Sequence, residues 1–444
     1  MAASPSTDSQ EILHPNSLTP MQWLILTLGM LASMIEGFDI VVIAYASPAI
    51  SADWGIPAEK MGLVLSAGVF GMTLGAMFLS WIADRYGRRI AVSGSLIMAG
   101  LMTSAIMLCS NAVELMILRA VAGLALGLLV ASLTPLMGEF SPAKHRVLII
   151  SIMVAGASLG AVIGGMLTGA LIESLGWKPI FLYAGLLTVV VGVLSQIFVP
   201  ESIAFTLKRH PATALEKVNR ILGFIGQPQV NELPFVSQSE TEEKATVNSL
   251  LTPNRRNTTL LTWAAFFTGF VVVYFISSWM PQVLSNAGLS QQKAIQGTAA
   301  IPFGSIIGTM LMGYLAKKIA LNKLIAGGFV LGTICIFIVG GMTSVINSIP
   351  YFAIWIMLFL IGITLMGAFS NLYNIALAVY PAQIRSTGLG WAAGLGRAGA
   401  VISPLLAGVL MGFGLSIPVL FILFAIPALA AALCTWKVSP QEMQ

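Results

Sequence analysis

Four ionisable side chains, Glu36, Asp39, Arg119 and Arg397, lie inside stretches of sequence that are otherwise apolar. A charge at the centre of a bilayer costs about 2.5–3.5 kcal/mol by insertion scales, so such residues are kept where something is bound or moved. Glu36-Gly37-Phe38-Asp39 sets two carboxylates at i and i+3, on one face of a helix. Burial disfavours the charged form of a carboxyl, and a second carboxylate nearby does so further, so the pair is suited to carry a proton. Histidine is excluded as the carrier, because His14, His145 and His210 all fall outside the apolar stretches. Arg397, near the middle of a late apolar stretch, offers a planar fork that matches a carboxylate. It either binds an anionic substrate or stands as a fixed partner for Asp39. Arg119 requires a carboxylate or backbone carbonyls, unless it snorkels to the surface from its place near the start of a span. Two acids balanced by two arginines suit a pathway for an anion and a proton better than one for a metal cation.

Further groups in the apolar stretches can complete a pocket. Tyr45 follows the acidic pair, Tyr274, Ser277, Ser278, Trp279 and Gln282 share one stretch, Asn371, Tyr373 and Asn374 another, and Trp391 precedes Arg397. Their rings can sandwich a flat ligand. Each of them can equally serve as packing or as an interface anchor.

These residues must be positioned by a membrane protein. Of 444 residues, 57% are hydrophobic and 9% charged, whereas soluble domains carry about 25% charged residues. Spanning a bilayer takes about 20 apolar residues in a helix. Twelve stretches qualify: 23–50, 61–82, 90–109, 112–138, 147–172, 179–199, 258–284, 296–316, 322–343, 350–379, 386–411 and 416–436. The sequence thus divides into an N-terminal tail (1–22), a six-helix bundle (23–199), a polar linker (200–257), a second bundle (258–436) and a C-terminal tail (437–444). Within the linker, Pro211 to Ile225 reads as a short amphipathic helix and 226–248 as loose chain.

The net charge of +5 does not point to nucleic acid. With alternating spans, nearly all Lys and Arg of the loops fall on one side, and the other side receives only Lys60, Lys178 and Lys293. That asymmetry places both termini in the cytoplasm. The first 22 residues contain no Lys or Arg, so no cleaved signal is expected and the first span would act as an uncleaved anchor. Cys109, Cys335 and Cys434 are far apart, match no metal spacing, and read as small hydrophobes.

The two bundles are repeats. Phe70-Gly71, Gly75, Met77 and Ala83 recur 233 residues later as Phe303-Gly304, Gly308, Met310 and Ala316. Pro142, Arg146 and Gly160-Ala161-Val162-Ile163 recur 239 residues later as Pro381, Arg385 and Gly399-Ala400-Val401-Ile402. Tandem six-helix halves mark a transporter in which one bundle rocks against the other. Gly156, Gly160, Gly164 and Gly165 stripe the fifth span and permit close helix packing. Gly394-x-Gly396-x-x-Gly399 matches a dinucleotide fingerprint by letter only, since no strand precedes it. No phosphate-binding Gly-Lys-Ser/Thr loop exists, which argues against an ATP-driven pump.

Asp84-Arg85-Tyr86-Gly87-Arg88-Arg89 after the second span resembles the signature loop of the major facilitator superfamily, with Ser80 where the family usually has Gly. Its second-half counterpart is degenerate, with Lys317 in the place of the acid. Arg119-Ala120-Val121-Ala122-Gly123 resembles the fourth-span motif of the same superfamily. Asp84 can cap a neighbouring helix or pair with an arginine there. Glu139-Phe140-Ser141-Pro142 through Arg146 closes the fourth span, and Tyr380-Pro381-Ala382-Gln383-Ile384-Arg385 is its repeat. Glu139 can pair with Arg85, Arg88 or Arg385. Asp84, Arg85, Arg88, Glu139, Arg146 and Arg385 are therefore the candidate gate.

Within that superfamily, Glu36-Gly37-Phe38-Asp39 is similar to the acid-Gly-aromatic-acid motif of the aromatic acid:H+ symporters, with Glu36 where the family usually has Asp. Arg385-Ser386-Thr387-Gly388-Leu389-Gly390-Trp391 through Arg397 and Pro404 resembles the same family. The resemblance implies an all-α fold of twelve membrane helices in two pseudo-symmetric bundles. It also implies import of a benzoate-like aromatic monocarboxylate with protons across a bacterial inner membrane. Proton coupling would fall to Asp39, Glu36 and Arg119. Substrate binding would fall to Arg397 with Asp39, Tyr45, Tyr274, Trp279, Asn371, Asn374 and Trp391. The expected partners are a small organic anion, H+ and the lipid bilayer, with no nucleic acid, no cofactor beyond the proton gradient, and a monomeric state. The rival readings are a transporter of a muconate-like dienoic acid and a drug/proton antiporter. Arg397 weighs against cationic drugs, and the absence of a spanning histidine beside a nucleophile weighs against an enzyme.

Overall fold

The computed structural model describes residues 18–142, 144–209, 213–233, 247–381 and 384–438. Among these residues, twelve helices are long and apolar enough to cross a membrane. Spans 1–6 are Pro20–Trp54, Ala58–Phe78, Arg88–Leu108, Ala112–Glu139, Arg146–Leu175 and Trp177–Phe198. Spans 7–12 are Arg256–Asn286, Gln291–Leu315, Leu321–Ser348, Tyr351–Val379, Thr387–Gly412 and Ile417–Lys437. The protein is a multi-pass membrane protein.

Local chemistry sets the ends. Span 1 starts at a capping box: Thr19 accepts from the Gln22 N–H, and the Gln22 side chain accepts from the Thr19 N–H. Span 8 begins five residues earlier than its apolar run, because the Ser290 side chain accepts from the Lys293 N–H and starts the helix in polar sequence. Span 2 stops at Phe78, four residues short of its expected end, and Trp81–Tyr86 forms a separate short helix before Gly87 turns the chain at φ 106°. Span 10 contains a π-helical turn over Gly362–Met366, a distortion that recurs at functional positions.

The repeated glycines hold equivalent helix crossings in the two halves. A Cβ on Gly71 or Gly75 would collide with the Ala120 or Leu124 carbonyl, so span 2 lies backbone to backbone on span 4. Gly304 and Gly308 meet the carbonyls of Phe359 and Ile363 in the same way, pressing span 8 onto span 10. Gly160 sits on the Met34 carbonyl of span 1, and its repeat Gly399 on the Phe267 carbonyl of span 7. Close backbone approach through small residues is how membrane helices gain van der Waals contact where lipid offers no hydrophobic drive.

The halves meet at the end remote from the termini. There Ser66 donates to the Val401 carbonyl at 2.9 Å, and the Gln292 N–H donates to Glu173 at 3.3 Å. Gly62 and Gly408 bring spans 2 and 11 together at the same end. At the terminus-side end, the described residues form no hydrogen bond or ion pair between spans of the two halves.

The linker helix Ala214–Ile225 folds under the first bundle. Val218, Leu222 and Ile225 are fully buried against it, and Thr19 donates to the Ile225 carbonyl at 2.5 Å. Pro211, Ala382 and Gln383 lie outside the described residues, as does 234–246 of the expected loose segment.

Candidate functional site

Span 1 carries both carboxylates at mid-length, and they turn to different neighbours. Asp39 faces the inside of the first bundle. Its Oδ1 accepts from Arg119 Nη1 at 2.9 Å and from Thr103 Oγ1 at 3.2 Å. Arg119 Nη2 also donates to the Asp39 backbone carbonyl at 2.8 Å. Arg119 is 2% exposed, so it is buried and does not snorkel. The fixed partner of Asp39 is therefore Arg119, and the alternative pairing with Arg397 is not what the structure shows. Gly68 on span 2 leaves room for the guanidinium. Gly37, between the two acids, abuts the Ala157 carbonyl and locks span 1 onto span 5.

Glu36 is half-buried and looks toward the second bundle. Arg397 on span 11 lies within electrostatic reach of Glu36, Tyr274 and Tyr373, which gathers spans 1, 7, 10 and 11 around one point. Arg397 is half-buried and forms no hydrogen bond or ion pair with the described residues. Its setting follows from its neighbours in sequence. Gly396 abuts the Phe270 ring and Gly399 the Phe267 carbonyl, so span 11 presses on span 7 and holds the arginine beside an aromatic wall.

That wall is continuous. Phe270 stacks on Tyr274 with centroids 5.9 Å apart and meets Phe369 edge-on at 4.7 Å. Tyr373 contacts Phe266 at 5.1 Å and Phe369 at 6.5 Å. Nearer the terminus side, Trp391 stacks on Trp263 at 6.0 Å and is 42% exposed. Asn371 is buried and donates to the Gly367 carbonyl at 2.9 Å, and Asn374 donates to Asn371 Oδ1 at 2.9 Å. Tyr45 is buried and donates to the Ala161 carbonyl at 3.1 Å, though it also borders a 130 Å³ cavity shared with Ser277, Thr298 and Ser305. Trp279 is 1% exposed and donates to the Pro404 carbonyl at 3.0 Å, tying span 7 to span 11.

The candidate gate residues divide. Arg88 pairs with Glu139 within the first bundle. Glu139 also accepts from Ser202 Oγ at 2.8 and 2.9 Å and from the Ala204 N–H at 3.3 Å, fixing the start of the linker to span 4. Asp84 is exposed and forms no hydrogen bond or ion pair with the described residues, Arg85 lies over the Tyr86 ring, and Arg385 Nε donates to the Tyr380 carbonyl. Arg146 packs beside Gly138 and forms no ion pair with the described residues.

Sequence reasoning did not single out Thr103, Phe266, Phe270 or Phe369. The rings were legible: Phe266, Phe270 and Tyr274 recur every four residues, as do Phe369 and Tyr373, which aligns them along one helix face. Thr103 carries no such signal.

Residues 29–393 match the model of the Major Facilitator Superfamily. The chain belongs to that superfamily. Within it, the chain falls in the aromatic acid:H+ symporter family. It is 33% identical to the gallate transporter of Pseudomonas putida, over 96% of this chain and 94% of that protein. It is 31% identical to the 4-hydroxybenzoate transporter PcaK of Acinetobacter baylyi, over 98% and 94% of the two chains. Its fold is that of the D-xylose-proton symporter crystal structure, with a TM-score of 0.71 at 16% identity over 95% of this chain and 98% of that one. This facilitator is a transporter and not an enzyme; Glu36 and Arg397 face each other between its two halves, while Asp39 and Arg119 pair inside the first.

Proposed function

We propose that the protein imports an aromatic monocarboxylate of the hydroxybenzoate type together with protons across the bacterial inner membrane, with both termini in the cytoplasm. The observation that carries this reading is Arg397: a guanidinium midway along its span with no direct ion pair or hydrogen bond among the described residues, flanked by a wall of aromatic rings and facing Glu36 across the halves. A planar carboxylate fits the guanidinium fork, and a flat ring fits the Phe270, Phe369 and Tyr373 faces. The names of the relatives, a gallate transporter and 4-hydroxybenzoate transporters, support the same substrate class.

Coupling follows from charge. With Glu36 ionised, Arg397 is neutralised across the interface, and an incoming carboxylate is repelled. A proton on Glu36 frees the guanidinium for the substrate, and the loaded site is then close to neutral and able to cross the hydrocarbon midplane. Asp39 and Arg119 keep the helix that bears Glu36 in place and form a second acidic station beside it. The gradient is the energy source, no resident cofactor takes part, and one chain contains the whole site, so a monomer suffices. The closed end remote from the termini and the unjoined terminus side correspond to the cytoplasm-facing state of the cycle.

Proteoliposomes with an imposed inward proton gradient test the proposal. Labelled 4-hydroxybenzoate is expected to accumulate, and to stop accumulating when the gradient is collapsed. Accumulation of a cationic dye or of muconate in its place would replace this reading with one of its rivals.

A further inference from the structure

On the terminus-side face, where spans 3 and 6 reach the membrane boundary, the linker helix Ala214–Ile225 closes a 370 Å³ cavity that transport does not use. Arg89, at the start of span 3, and Lys217 and Arg220, from the linker helix, bring three cations to it. Glu201 is the one acid among the described residues of its lining. Its Oε1 is already occupied by the N–H groups of Arg89 at 3.1 Å and Ser202 at 2.9 Å, so it acts as a helix cap more than as a counter-ion. Arg89 donates one N–H to the Gln196 carbonyl and leaves Nε without a partner. Among the described residues Arg220 reaches only Glu216, at 3.6 Å, with both side chains highly exposed, a pair too loose to hold the guanidinium.

The cavity is not purely basic. Ile197, at the end of span 6, is 58% exposed, and Phe224 is 45% exposed, so the wall nearest the bilayer is apolar. Cations within reach of an apolar rim at the depth where spans end match a phosphate with an acyl chain attached. A soluble anion would leave that rim uncovered.

We propose that this cavity binds the headgroup of one anionic phospholipid, with the phosphate between Arg89, Lys217 and Arg220 and an acyl chain along Ile197 and Phe224. Because Val218, Leu222 and Ile225 of the same helix are buried in the first bundle, the lipid would clamp the linker to that bundle and leave the second bundle free.

Native mass spectrometry of the full-length protein, offered equimolar dioleoylphosphatidylglycerol and dioleoylphosphatidylcholine, tests this. The expected result is a single retained phosphatidylglycerol, with retention weakened about fivefold for each cation removed in Lys217→Gln and Arg220→Gln. Both side chains leave the buried face of their helix, so the thermal unfolding midpoint in lipid-free detergent should not move. Lys317→Gln/Lys318→Gln, in the opposite bundle, should leave retention intact. Equal retention of the two lipids, retention indifferent to Lys217 and Arg220, or displacement of the lipid by millimolar inorganic phosphate would each overturn the proposal, the last by making the cavity a site for a soluble anion.

Discussion

Asp39 and Arg119 form a pair whose removal has a calculable cost. Arg119 is 2% exposed, and among the described residues the only carboxylate it meets is that of Asp39 at 2.9 Å. Asp39→Asn keeps the shape and leaves a buried guanidinium without its counter-charge, while Arg119→Met leaves a buried carboxylate. Breaking one side of a buried ion pair costs about 3–5 kcal/mol. The double variant Asp39→Asn/Arg119→Met buries no net charge. It retains an amide beside Thr103, and should lie within about 1–2 kcal/mol of the parent, since neutral replacement of a buried pair is often near-neutral. The interaction term of the cycle is then several kcal/mol, well beyond the additivity expected of independent sites. Equilibrium unfolding of the purified protein in mixed micelles, followed by tryptophan fluorescence, gives all four corners. A double variant whose loss equals the sum of the two singles would show that the residues act separately and that the pairing geometry is wrong.

Other perturbations separate anchoring from transport. Glu139→Gln weakens the contacts to Arg88, Ser202 and Ala204 and should cost about 1.5–3 kcal/mol, seen as faster limited proteolysis of the linker after residue 202. Trp279→Ala empties a fully buried site and should lower stability by about 3–5 kcal/mol while leaving the KM of the folded fraction unchanged; a KM change with intact stability would make Trp279 part of the pocket wall. Tyr274→Phe removes a half-buried hydroxyl that bonds to no described residue, and should alter affinity for ring-hydroxylated acids with little effect on unsubstituted benzoate.

Much of this was legible in the sequence because a bilayer simplifies the physics. Without water to satisfy backbone groups, each apolar run must be a helix, so the twelve spans follow from hydropathy. Their ends do not, because they depend on polar caps such as Ser290 that lie outside the apolar runs. The four mid-membrane ions were evident from composition alone. Their pairing was not: Glu36 and Asp39 lie on neighbouring turns of one helix, and only packing decides which looks at Arg119 and which at Arg397. The repeat offsets of 233 and 239 residues announced symmetric halves, and the glycines that carry them sit at close backbone crossings between spans. The aromatic wall was visible as a four-residue spacing of rings, and its place beside Arg397 only once Gly396 and Gly399 press span 11 onto span 7.

The exchange of charge between Glu36, Arg397 and an organic acid is tested most directly by calorimetric titration of the purified protein with 4-hydroxybenzoate in buffers of different ionisation enthalpy. The account predicts proton uptake on binding in the parent, none in Glu36→Gln, and an affinity reduced by about a hundredfold or more in Arg397→Ala, where charge-assisted hydrogen bonds worth about 1.5–3 kcal/mol each are lost. Binding that takes up no proton in the parent, or that keeps its affinity without Arg397, would contradict it.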